Sequence, residues 1–255
     1  MELGKRRGTI GEFLQNNLMD NAIKRIEEIK LRFGKNKKNY LHPKDGSWKY
    51  WRYRVLRPLL KVKYKFYRCK KDPTPWLSPT SIEFFKEYLD GSQVGCEFGS
   101  GSSTVFFSKR VSKLVSIEHY RPWFDKVNAQ LKANNNTVVD YRFVEQQEGD
   151  STLSFEEQFP GIVKSDAYEY RKDYVNYFCA LDDFEKNEYF DFIIVDGRAR
   201  PECVFRSMPK LKKGGLMILD NSERSRYDIV FQNLDSWEMI TTTNGLTDTT
   251  FWVKP

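Results

Sequence analysis

From about residue 78 onward, short apolar runs of strand length alternate with segments of helical period, and most runs end on glycine or an acid. Segments 94–98, 114–118, 138–144, 190–195 and 216–219 read as buried strands. Between them, 79–89, 105–110, 123–133, 168–184 and 201–211 read as helices, with Ser78-Pro79 as an N-cap followed by proline at the first helical position. Segments 237–242 and 249–253 close the chain as a hairpin across Asn244-Gly245. Strand-helix alternation of this kind predicts an α/β fold, a mostly parallel seven-stranded sheet with helices on both faces and a C-terminal antiparallel hairpin. On such a sheet, ligands bind beyond the carboxyl ends of the strands.

Charge divides the chain in two. Residues 1–75 carry 21 Lys/Arg against 7 Asp/Glu, whereas residues 76–255 carry 21 against 28. The step predicts a basic N-terminal extension over 1–75 attached to a mildly acidic domain over 76–255, with the boundary near Asp72-Pro73-Thr74-Pro75. Inside the extension, Ile10, Phe13, Leu14, Leu18, Ala22, Ile23, Ile26 and Ile29 fall at helical spacing, which predicts an amphipathic helix over 9–33. Farther on, aromatic residues interleave with cations over 48–54 and again over 61–68. Two readings stay open. The rings pack on the neighbouring domain while the cations snorkel to water, or the segment meets an anionic partner, a membrane surface or RNA.

Several classes are set aside. No run of about 18 apolar residues exists, so a transmembrane helix is not expected, and the N-terminus lacks the apolar stretch of a secretory signal. Cys69, Cys96, Cys179 and Cys203 stand far apart with no C-x-x-C pair, which argues against a zinc site or a disulfide framework. The expected setting is therefore reducing and cytoplasmic, with peripheral attachment to a membrane left open by the extension. Only His42 and His119 could supply an imidazole.

The sharpest local signal is Glu97-Phe98-Gly99-Ser100-Gly101-Ser102-Ser103-Thr104, where a strand turns into a helix. Gly99 and Gly101 let the backbone turn tightly and come close to a ligand, and the helix start offers unpaired N–H groups. Alone, a G-x-G is weak. It gains weight from Glu118, at the end of the next strand, because an acid so placed accepts hydrogen bonds from a ribose diol. Thr104 stands where a dinucleotide loop has its third glycine, which disfavours a nicotinamide cofactor. Glu97 would repel a pyrophosphate and welcome a cationic group.

With the later segments Ser116-Ile117-Glu118-His119, Phe190 through Gly197 and Gly214 through Asn221, in that order, the chain resembles the class I S-adenosylmethionine-dependent methyltransferases over residues 76–255. The resemblance implies a Rossmann-like fold and S-adenosylmethionine as cofactor. It places Glu97 toward the methionine amine, directly or through water, and Gly99, Ser100 and Gly101 along the methionine carboxylate and sugar. The rest of the loop (Phe98, Ser102, Ser103 and Thr104) joins that contact set. It puts Glu118 on the ribose hydroxyls, His119 beside the adenine, and Asp150 near the adenine amino group. Ser103 departs from the family, many of whose members have a third glycine there.

Asp196 ends the fourth strand and Asp220-Asn221 the fifth, so all three are expected to converge. An alcohol acceptor must lose its proton during methyl transfer, which calls for a base or a metal. The layout is similar to that of catechol-type O-methyltransferases, which implies a divalent cation such as Mg²⁺ on Asp196, Asp220 and Asn221. The competing reading makes Asp196 a metal-free base, with His119 as a second candidate. Arg198, Arg200 and Arg224 are candidates to grip a carboxylate or phosphate of the acceptor. Methyltransferases that act on base or amide nitrogen carry Asn/Asp-Pro-Pro-aromatic after the fourth strand; here Asp196-Gly197-Arg198-Ala199-Arg200-Pro201 stands instead. The motif style resembles a branch that modifies sugars. The expectation is O-methylation of a glycan or glycosylated small molecule, with RNA ribose O-methylation and a non-catalytic scaffold or membrane-surface role as alternatives.

Overall fold

The computed structural model describes Lys24 and residues 48–68, 74–147, 152–166 and 168–255. The expected helix over 9–33 lies outside the described residues except for helical Lys24, and so does Asp150.

Seven strands form one sheet: β1 Val94–Phe98, β2 Lys113–Glu118, β3 Val139–Phe143, β4 Phe190–Val195, β5 Leu211–Asp220, β6 Glu238–Thr243 and β7 Asp248–Val253. Their order is β3-β2-β1-β4-β5-β7-β6. β1 pairs parallel with β2 and β4, β2 with β3, and β4 with β5, whereas β7 runs antiparallel to both β5 and β6. The chain leaves β1 toward β2 and β3, then returns to add β4 on the other side. That reversal makes the gap between β1 and β4 the topological switch point, where open α/β sheets hold their ligands.

Helices cover both faces, which is why the central strands read as continuous apolar runs rather than alternating ones. Phe192 and Ile194 of β4 and Leu216 and Ile218 of β5 face helix α2, Pro79–Tyr88, and helix α3, Ser102–Ser108. Phe85, Phe107, Phe192 and Phe251 meet there with ring centroids 5.0–5.8 Å apart. Ile193, Val195, Met217 and Leu219 point the other way, into a layer that includes Tyr177, Val204 and Trp252. Ser78 caps α2 as its sequence predicts, its Oγ accepting from the Ser81 N–H at 3.1 Å with Pro79 in the first turn.

Several local expectations are corrected. The helix expected over 168–184 is a 3₁₀ turn, Lys172–Tyr174, followed by a single α-turn, Val175–Phe178. Residues around 168–171 run irregularly because the Arg171 N–H bonds the buried Glu202 at 2.9 Å and Tyr168 faces a cavity. β5 begins five residues earlier than expected, at Leu211, and absorbs Gly214 and Gly215 as an irregularity in its pairing with β4. α3 starts at Ser102 rather than Val105.

In the basic extension, the two aromatic-cationic stretches form one helix, α1, Trp48–Arg68. Its Tyr64 hydroxyl donates to the Leu77 carbonyl at 2.8 Å, Tyr67 packs on the α2 layer, and Leu60 abuts Gly245 in the β6–β7 turn. Thus one side of α1 lies on the domain. Among the described residues, no helix is long and apolar enough to cross a membrane.

Candidate active site

A cavity of about 950 Å³ opens over the switch point. Gly99 and Ser100 follow β1 in its wall, Glu118, His119 and Tyr120 follow β2, and Asp196 through Glu202 follow β4. Arg224 through Ile229, beyond β5, close one side, and Tyr168 and Arg171 close another.

The floor is made of two turns in backbone contact. Gly99 sits at φ +95°, a left-handed conformation glycine adopts without strain, and a Cβ there would lie 2.6 Å from the Gly197 nitrogen. A Cβ on Gly197 would in turn collide with the Tyr177 hydroxyl beneath it. That hydroxyl is buried and has no hydrogen-bond partner among the described residues. Ala199 (φ 45°) and Asn221 (φ 52°) also adopt left-handed backbone at the ends of this region, a strain that clusters at functional sites.

Glu118 is only 3% exposed, yet it forms part of the wall. One carboxylate oxygen accepts from the Ser100 N–H at 2.9 Å and the Ser100 hydroxyl at 2.8 Å. The other accepts from the His119 and Tyr120 N–H groups, both at 2.9 Å, with His119 Nδ1 at 3.1 Å. Burial pushes its pKa up, but these donors outweigh burial and hold the carboxyl below its ordinary range. The His119 ring stands edge-on to Tyr174 and Tyr177, with centroids 5.6 and 5.4 Å away. Trp123 braces the glycine turn by donating its indole N–H to the Ser100 carbonyl at 2.6 Å.

Glu97 stands elsewhere. It is 1% exposed and lies outside the cavity wall. Ser103 donates to one of its oxygens, and Thr104 (2.7 Å) and Ser116 (2.8 Å) donate to the other. The carboxylate thereby ties the first turn of α3 to β1 and β2. Burial lifts its pKa to about 7, the three hydroxyls opposing and Asp196 assisting. Phe98, Gly101, Ser102, Ser103 and Thr104 also lie off the wall. Phe98 packs edge-on to Tyr177 at 5.6 Å, and Ser102 donates to the Thr74 carbonyl at 2.7 Å.

The residues expected to hold a metal are brought together only in part. The Asp196 and Asp220 carboxylates meet at the ends of β4 and β5, with the Arg200 guanidinium beside both. Arg200, 7% exposed, donates to the Asp196 carboxylate (2.9 Å) and carbonyl (2.8 Å), to the Gly197 carbonyl (2.9 Å) and to the Asp220 carbonyl. Its Nη1 stands 3.9 Å from the Asp220 carboxylate, which also accepts from Thr249 at 2.8 Å. Asn221 turns away to donate to Thr247 at 2.6 Å and accept from Arg224 at 2.9 Å. Among the described residues, no group of three His, Cys, Asp or Glu could hold a metal ion. Arg200 is therefore a clamp joining the ends of β4 and β5, and its donors are spent on the scaffold rather than available to an acceptor. Burial raises the pKa of Asp196, with Arg200 opposing. Burial raises that of Asp220 well above its ordinary range, with neighbouring Asp196 adding to it.

Arg198 and Arg224 are exposed cations on the cavity wall. Tyr168 joins them, as do Tyr120, Trp123, Arg171 and Glu202, four residues that did not stand out in sequence as site residues. Tyr120 and Trp123 could have been found from their position directly after the Glu118-His119 strand end, while Arg171 and Glu202 offered no local signal.

No family model matches this chain, and no curated protein matches it. Among solved structures it is similar to a methyltransferase-like protein from Silicibacter pomeroyi, with 23% identity, 73% of this chain and 91% of that one covered, and a TM-score of 0.48. It is similar to a Streptococcus mutans protein solved in complex with SAH, with 12% identity, coverage of 68% and 95%, and a TM-score of 0.46. A third is an rRNA methylase from Streptococcus thermophilus, with 13% identity, coverage of 68% and 93%, and a TM-score of 0.46. At these identities and scores, what the cavity holds has to be read from this chain's own residues.

Proposed function

We propose that the chain is an S-adenosylmethionine-dependent methyltransferase that methylates a hydroxyl of an anionic glycan or glycosylated small molecule. The observation that carries the reading is Glu118: an ionised carboxylate at the end of β2, one strand from the glycine turn, in the wall of a cavity at the switch point. A ribose diol suits that carboxylate, since the Ser100 hydroxyl that occupies it can rotate to Tyr141, 2.7 Å away, and yield its place. The apposed Gly99 and Gly197 let the turns after β1 and β4 close on one another at the base of the cavity, where both glycines line its wall. The residues present therefore fit the cofactor, which supplies an electrophilic methyl group on a sulfonium.

The protein's own part is positioning and proton removal. Asp196, directly after β4, lines the cavity, and the desolvation that raises its pKa makes it a better base for a hydroxyl proton. Arg200 fixes its orientation. Arg198 and Arg224 supply positive charge to an acceptor carboxylate or phosphate, and the rings of Tyr120 and Tyr168 offer apolar faces to a sugar. Support for oxygen over nitrogen is the Asp-Gly-Arg-Ala-Arg-Pro sequence after β4.

Calorimetric titration with S-adenosylhomocysteine tests the cofactor. Wild type is expected to bind it and Glu118→Ala to bind roughly 10–100-fold more weakly, the worth of hydrogen bonds to a charged group. Absence of uptake by the wild type overturns the reading. Transfer of a labelled methyl group to acidic but not neutral oligosaccharides tests the acceptor.

A further inference from the structure

We infer that α1 is a docking face for an anionic lipid bilayer. Trp51, Val55, Leu59, Val62 and Phe66 are 58%, 75%, 67%, 52% and 74% exposed. Turning 100° per residue, the five fall within about 80° of arc, one continuous stripe along the helix. From Trp51 to Phe66 the stripe runs about 22 Å at 1.5 Å per residue. Leu60, Tyr64 and Tyr67, which meet the domain, lie on the opposite side. So the helix is seated on the protein by one face and presents apolar surface with the other.

The charge around that stripe selects its partner. α1 contains eight Lys/Arg and no Asp or Glu. Exposed Arg54, Lys61 and Lys65 flank the stripe on one side and Lys63 on the other. A basic amphipathic helix lying in the plane of a membrane has this pattern: apolar side chains enter the headgroup boundary, and cations meet anionic lipid. RNA fits less well, because Val55, Leu59 and Val62 at the stripe's centre are aliphatic and give a base nothing to stack on. A second copy of the helix would set eight cations against eight.

Docking there would bring a defined part of the domain to the surface. Leu60 touches Gly245 in the β6–β7 turn, and β7 starts opposite Asp220, at the carboxyl end of β5. Tyr64 bonds Leu77, and Thr74, three residues before it, accepts from Ser102 beside the glycine turn. Both contacts lie at the cavity's edge of the sheet. The inference does not depend on what the cavity holds.

Flotation of the full chain with vesicles tests it, using phosphatidylcholine alone and phosphatidylcholine mixed with phosphatidylglycerol. Wild type is expected to float with the mixed vesicles at least roughly tenfold better than with the neutral ones, and less at high salt. Leu59→Glu with Val62→Glu, at exposed positions, should keep the wild-type melting temperature and lose roughly tenfold or more of the bound fraction. Lys61→Gln with Lys63→Gln should weaken binding while leaving the apolar stripe intact. Equal flotation with both vesicle types overturns the inference, as does binding unchanged in the glutamate variant. Failure to float together with retention of a single-stranded RNA, or with a dimer by light scattering, also overturns it.

Discussion

Glu97 and Glu118 sit on adjacent strands and both accept several hydrogen bonds, yet they differ in protonation because their donors differ. Glu118 takes three backbone N–H groups and the Ser100 hydroxyl and stays below its ordinary pKa, while Glu97 has three hydroxyls inside a sealed site and rises to about 7. The folded pKa of Glu97 thus exceeds the unfolded value, so its contribution favours folding below about pH 4.5 and is lost as pH climbs toward 7. Glu97→Gln removes that loss. Relative to wild type, the variant should melt higher at pH 8 than it does at pH 5; an unchanged difference at the two pH values would show that the site is not protonated as described. At Arg200, replacement by Met leaves the buried Asp220 and the partly exposed Asp196 carboxylates without their cation, an expected cost of up to about 3–5 kcal/mol visible as a lowered melting temperature. Because that guanidinium already offsets the charge of the Asp196–Asp220 pair, the proposed methyl transfer is expected to proceed equally in EDTA and in Mg²⁺. A several-fold gain with Mg²⁺ would contradict the geometry.

At the scale of elements, the two turns after β1 and β4 act as one unit. Gly99→Ala forces a side chain into left-handed backbone, about 1–2 kcal/mol from the conformation alone, and drives its Cβ against Gly197. The expected result is a destabilised chain that no longer takes up the nucleoside, whereas alanine at Gly91, also left-handed but with open space around it, should cost only the strain. Urea unfolding of both variants separates the conformational from the steric part. Strand ends, glycines and the α2 cap were legible in sequence because they depend on local period and turn chemistry: 94–98 and 190–195 appear as read, and Ser78-Pro79 opens its helix. The segment 168–184 was misread as one helix because tertiary contacts override its local period. Tyr170, Tyr174 and Tyr177 pack in the layer under β1 while Tyr168 lines the cavity, and the backbone bends to deliver them.

For the whole molecule, a ligand that binds only the folded state stabilises it by about 2.7 kcal/mol at a hundredfold excess over Kd. Under the proposed function, S-adenosylhomocysteine is therefore expected to raise the melting temperature of a domain of this size by roughly 5–10 °C, and Glu118→Ala to abolish most of the shift. The same melt in the presence of mixed vesicles reports on α1 independently of the cavity. By itself, the sequence determined the sheet and the edge of the sheet that carries the site, because hydrophobic period, turn residues and strand-terminal acids are local properties of the chain. Tertiary structure alone decided how those acids are used. Which donors meet Glu97, how Arg200 joins the ends of β4 and β5, and which side of α1 meets water all depend on contacts between residues far apart in sequence. Burial and the donors that accompany it, rather than residue type, set the charge and reach of each carboxylate.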